Sequence, residues 1–143
     1  MNNNNYLSIA KLDLKSAKHL IDINPQIVPS LCTQAIEKEL KHYITEYIYI
    51  EGDDLRIMKG HNLKKLARAT DIKSIDEYIV DLTDLTDYYF DTRYPGESFI
   101  EISYDEAKRI YEKTEEIFNL ILKGINDKEK ELKLLDTNFG DKN

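Results

Sequence analysis

Residues 27–48 read IVPSLCTQAIEKELKHYITEYI, and the fold follows from the spacing of the apolar letters in this stretch. Val28, Leu31, Cys32, Ala35, Ile36, Leu40, Tyr43, Ile44, Tyr47 and Ile48 recur at steps of three and four, the repeat of one helix face. Pro29 falls in the first turn, where its missing N–H removes no helical bond. Asn24-Pro25 before the stretch and Gly52-Asp53-Asp54 after it break the pattern, so the spacing predicts a long amphipathic helix that ends before Gly52.

The same period extends outward in both directions. Leu7, Ala10, Leu14, Ala17, Leu20 and Ile21 share a face, which predicts a first helix over about Ser8 to Asp22, with Lys11, Lys15 and Lys18 off that face. Residues 52–61 read as a loop that ends by presenting His61, and Leu63, Leu66 and Ala67 mark a short third helix. Ser74-Ile75-Asp76-Glu77 and Ser103-Tyr104-Asp105-Glu106 have capping-box spacing, in which Ser and Glu each satisfy a backbone N–H left open at a helix start. Ile75, Tyr78, Ile79, Leu82, Leu85 and Tyr89 follow the first box. Ala107, Ile110, Tyr111, Thr114, Ile117, Phe118, Ile121, Leu122 and Ile125 follow the second. Short connections favour antiparallel neighbours. The expected fold is all-α, an up-and-down bundle of four long helices plus one short helix, in one domain over residues 1–126. The charged stretch 127–143 is expected to fray.

Composition agrees. A chain of 143 residues holds one continuous core, and its 5 Gly and 3 Pro leave room for long helices. Cys32 is the only cysteine, so no internal disulfide can form and paired-cysteine zinc sites are excluded. The N-terminus, with its run Asn2 to Asn5, is polar, and no apolar run reaches membrane-spanning length, which points to a cytoplasmic protein with no membrane partner. Net charge is −7, unevenly placed: residues 1–70 hold 10 Lys/Arg against 8 Asp/Glu, and residues 71–143 hold 10 against 19. Any phosphate contact must therefore be local and use the first half. No glycine-rich phosphate loop, nucleophile elbow or paired zinc-ligand motif is present, so no cofactor or metal is expected.

Four blocks, taken in order, resemble the HEPN family (higher eukaryote and prokaryote nucleotide-binding). They are Asp13-Leu14-Lys15-Ser16-Ala17-Lys18, the run from Cys32 to Lys41, His61-Asn62-Leu63-Lys64-Lys65-Leu66, and Asp91-Thr92-Arg93-Tyr94-Pro95. The resemblance covers roughly residues 8–125. It implies a helical bundle, frequent homodimers, and nucleotide- or RNA-related work in toxin, defence and stress systems, with a partner protein encoded nearby as a further expectation. It does not choose among these roles.

Ribonuclease members resemble one another in an Arg followed after four to six residues by His, commonly with Asn straight after the Arg and an aromatic residue two after the His. In such a pair the His moves a proton and the Arg holds phosphate charge. Arg56-Ile57-Met58-Lys59-Gly60-His61 has the bare spacing, but Ile57 replaces the Asn and Leu63 the aromatic, and the motif precedes the short helix. At Arg93 no His follows within Tyr94 to Phe99. The expected function is therefore a non-catalytic HEPN-like module, with a metal-independent ribonuclease toxin using Arg56 and His61 as the alternative.

Gln34, Lys38 and Lys41 recur at steps of four and three along one side of the second helix, so with His61, Arg93 and Tyr94 they form the expected ligand-binding groove for a nucleotide, RNA or partner protein. Arg93 has a structural alternative, a pairing with Glu37 across the turn. Lys64, Lys65 and Arg68, near Arg56 and Lys59, make a second basic face, the best local candidate for phosphate contact, with plain solvation as its ordinary alternative. Asp84, Asp87 and Asp91 form an acidic stripe without a His partner, read as a solvated face. Ten tyrosines and no tryptophan suit a homodimer interface.

Overall fold

The structure, a computed structural model, describes residues 5–140, with side chains through 137. Most of the asparagine run and the last three residues lie outside it. Five α-helices form: α1 (Tyr6–Leu20), α2 (Val28–Tyr47), α3 (Leu63–Arg68), α4 (Ile79–Asp91) and α5 (Tyr104–Gly140), with 3-10 turns at Pro25–Ile27, Gly52–Lys59 and Lys73–Tyr78. No strand occurs among the described residues. No described helix is long and apolar enough to cross a membrane.

α2 is the axis of the bundle, packed by α1, α4, α5 and α3. Its neighbours' directions follow from side-chain partners. Asp13 of α1 meets Lys38, and Thr33 meets the Leu85 carbonyl of α4 while Gln26, before α2, meets that of Thr92, so both helices run antiparallel to α2. Tyr47 bonds Glu129, and Gly124, a turn earlier, lies against Tyr43, so α5 runs parallel to α2. Helices consecutive along the long set thus alternate in direction, the expected up-and-down order. Ile36, Leu40, Tyr43 and Ile44 are all essentially buried, and each contributes roughly 1.5–3 kcal/mol by leaving water.

Because α2 has helices on several sides, its burial exceeds its apolar stripe. Glu37, Glu39 and Lys41 are buried as well as the predicted apolar face. Cys32 lies in the same core, and burial pushes its thiol up to about 12, with a Thr114 hydrogen bond opposing, so it stays protonated and unreactive.

The capping boxes divide. Ser103 Oγ accepts from the Glu106 N–H at 3.1 Å, and its hydroxyl donates to Glu106 Oε1 at 3.3 Å, immediately before α5. Ser74 makes no such cap. It lies inside the 3-10 turn Lys73–Tyr78, whose preceding residue Ile72 has no capping side chain, and α4 begins only at Ile79. Just before this turn α5 approaches closely at Gly124, where a Cβ would lie 3.2 Å from Ile72 Cδ1. Residues 52–61, expected as a loop, wind largely as 3-10 helix, entered through Gly52 at φ +63°, a left-handed conformation open to glycine. The charged stretch after Asn126, expected to fray, continues α5 to Gly140. Its first turn is tied to the bundle by Lys128 on Asp71 at 2.7 Å and by Tyr47 on Glu129.

One side chain holds the α4–α5 connection. Gln26 donates through Nε2 to the carbonyls of Thr92 at 3.0 Å and Ile100 at 2.8 Å, and its Oε1 accepts from the Ile102 N–H at 2.8 Å. Gln26→Ala is expected to lose about 2 kcal/mol, since three backbone groups lose their partner at once. Amide hydrogen exchange at Ile102 should accelerate well beyond the change at core amides such as Ile121. Equal acceleration at both would show that Gln26 does not hold this segment locally.

Candidate functional site

α2 supplies the floor of the site. Glu37 and Lys41, one turn apart, are 11% and 7% exposed at their side chains and meet at 3.2 Å. The other Glu37 oxygen, Oε1, lies 2.9 Å from His61 Nδ1. An ionised carboxylate only accepts, so the shared proton sits on Nδ1 and the remaining ring nitrogen of His61 is Nε2. His61 comes into reach because the turn Gly52–Lys59 carries the chain back before α3, and Asn62 then caps α3 by accepting from the Lys65 N–H at 3.0 Å.

α4 supplies the aromatic side. The Tyr89 ring stacks on His61 with centroids 6.2 Å apart and planes 13° apart. Arg93, one turn later, places its guanidinium carbon 4.4 Å from the Tyr89 centroid and 5.9 Å from that of Tyr94. A guanidinium over an aromatic face is held by the ring quadrupole while its N–H donors stay available. Arg93 is exposed and makes no ion pair among the described residues. The result is one continuous array of Lys41, Glu37, His61, Tyr89, Arg93 and Tyr94, buried at one end and open at the other. A hollow of about 360 Å³ adjoins the open end, lined by Gln34, Ser30, Gln26, Thr92 and Arg93 among others.

Lys41, His61, Arg93 and Tyr94 therefore come together in one array. Gln34 shares the adjoining hollow and reaches Ser30 Oγ at 3.4 Å. Lys38 is drawn off to α1, where Asp13 holds it at 2.6 Å. The suggested pairing of Arg93 with Glu37 does not occur, because both Glu37 oxygens are taken by Lys41 and His61. Arg56 and His61 are bound to different carboxylates. Arg56, 81% exposed, reaches Asp53 at 3.4 Å and lines a separate hollow whose lining does not include His61. Asp84 of the acidic stripe shares a small hollow with Arg109 and Lys113 of α5.

Two members of the array escaped the sequence reading. Tyr89 was visible as a core aromatic and stands four residues before Arg93, the spacing that stacks side chains on a helix. Glu37 reads as an ordinary four-residue ion pair with Lys41, and nothing local announces that His61 completes it.

The fold is a bundle of four long helices with a buried carboxylate on its central helix and an Arg-Tyr-Pro turn after α4. The HEPN domain profile matches residues 4–125, and the chain belongs to the HEPN family, whose work is nucleotide- and RNA-related and whose domains commonly dimerise. The match ends at Ile125, within α5. No curated protein and no solved structure matches the chain.

Proposed function

We propose that the protein is a non-catalytic HEPN module that holds a nucleotide or a short RNA segment in the face formed by Arg93, Tyr94, Tyr89 and His61, with Gln34 lining the adjoining hollow. The observation that carries this reading is Arg93: an exposed cation, steadied by an aromatic ring and paired with no carboxylate among the described residues. Such a group takes a phosphate with its N–H fork, and an exposed Tyr94 ring beside it offers a surface for a base. Lys41 and Glu37 neutralise one another and act as positioning residues for His61. Lys38, committed to Asp13, belongs to the rim at most.

The ribonuclease alternative needs Arg56 and His61 on one phosphate, and their separate carboxylate partners speak against it. Homodimer formation belongs to this proposal too, supported by exposed Phe99, Ile100 and Tyr104 around the α4–α5 connection. Solution mass tests it.

The binding experiment titrates the protein with AMP and with a short single-stranded RNA at physiological salt. Arg93→Ala is expected to weaken binding about tenfold, the loss of a charge-assisted contact, with unchanged melting temperature and intact RNA. Absence of binding to either probe, or full binding by Arg93→Ala, overturns the proposal. RNA cleavage that disappears in His61→Ala establishes the nuclease instead.

A further inference from the structure

The hollow beside Arg56 lies away from the array, and its construction begins with the end of α2. Ile48 leaves the helix in an extended conformation, φ −115° and ψ 129°. Extended chain sends alternate side chains to opposite faces. Accordingly Ile48 and Ile50 both line the hollow, while Tyr49 between them is 84% exposed. Ile57 of the 3-10 turn and Ala69 at the end of α3 complete an apolar floor, and all four pack on the bundle core. The cavity measures about 650 Å³, within the usual range for small-molecule sites.

The rim is charged. Lys65 and Arg68 stand three residues apart on α3 and so share a side of it, and neither has an acidic partner among the described residues. Arg56 shares the lining but is engaged by Asp53 at 3.4 Å, and Asp54 lines the hollow as well. Three cations against two carboxylates leave a single surplus positive charge. A ligand with one negative charge matches this lining, whereas a polyphosphate sets its further charges against Asp53 and Asp54.

We propose that this hollow is a second binding site, independent of the Arg93 face, for a monocarboxylate with an apolar body. The carboxylate takes the N–H donors of Lys65 and Arg68, and the body lies on Ile48, Ile50, Ile57 and Ala69. The site thus selects by charge number as well as by apolar shape.

The test is an NMR titration of the full chain with octanoate, octanamide and ADP as probes. Octanoate is expected to give saturable shifts at the amides of Ile48, Ile50, Ile57 and Ala69, and octanamide to bind about tenfold more weakly for want of the charge. The double variant Lys65→Ala, Arg68→Ala, both surface positions, should weaken octanoate by at least a similar factor, while Arg93→Ala leaves it unchanged. Equal binding of octanamide, tighter binding of ADP at these amides, undiminished binding by the double variant, or no saturable shift overturns the proposal. The unchanged Arg93→Ala control keeps its outcome separate from that of the nucleotide face.

Discussion

Glu39→Met is expected to stabilise the protein by about 2 kcal/mol even below about pH 4, the cost of a buried polar group without hydrogen bonds, which raises the melting temperature by about 6 °C for a chain of this size, and by more at neutral pH. Glu39 is 0% exposed on α2, and neither carboxylate oxygen has a donor. Burial raises its pKa well above the ordinary carboxylate value, and the charge of Lys11 on α1 offsets this only in part. The folded protein therefore keeps a proton at Glu39 under conditions where the unfolded chain, titrating near about 4.3, has lost it. Below that value both states keep the proton and the effect of this group does not change with pH. Stability falls as pH rises above it, by about 1.4 kcal/mol per unit, until the folded group ionises too. Unfolding curves of parent and Glu39→Met should accordingly diverge from about pH 4 upward. A difference that stays flat across that range would mean that Glu39 ionises normally in the folded protein.

Glu37→Leu is expected to act in the opposite direction, lowering stability by about 3 kcal/mol, because it leaves Lys41 charged and enclosed without its partner. Lys41 is only 7% exposed at its side chain, so water cannot replace the lost carboxylate. Adding Lys41→Met should restore most of that loss, since both members of the pair are then apolar. Binding at the Arg93 face should not recover in the double variant, because His61 has still lost its anchor. Denaturant melts and AMP titrations on the same proteins separate the two effects. Recovery of both together would assign Glu37 to stability alone.

These two glutamates, two residues apart, show how far the sequence could be read. The apolar repeat of residues 27–48 carries α2 plainly, because a helix face that packs must repeat every three to four residues. The same repeat says nothing about which charged residue is enclosed. That depends on α1, α4 and α5 closing around α2, a tertiary fact, and they close over Glu37, Glu39 and Lys41 alike. Ser103-Glu106 was legible because its cap is local to one turn. Ser74-Glu77 has the same letters, but it lies within a 3-10 turn that follows Ile72, whose side chain packs against Gly124, far along the chain. Within the site, Gln34, Lys38 and Lys41 were placed together by helical spacing, yet Lys38 turns to Asp13, a residue 25 positions away. Gln26 was invisible for the same reason, since the carbonyls it binds lie more than sixty positions downstream.

The enclosure of α2 also fixes where the chain can change in length. One residue inserted or deleted within Val28–Tyr47 rotates everything after it by about 100° around the helix axis. Most neighbours of α2 would then meet the wrong side chain, and the face left open, along Leu31, Gln34 and Lys38, is too narrow to hide the error. The turn between α4 and α5 has no such phase to keep. Growth and shortening of this chain over generations are therefore confined to its joints, while its axis is held to a single length.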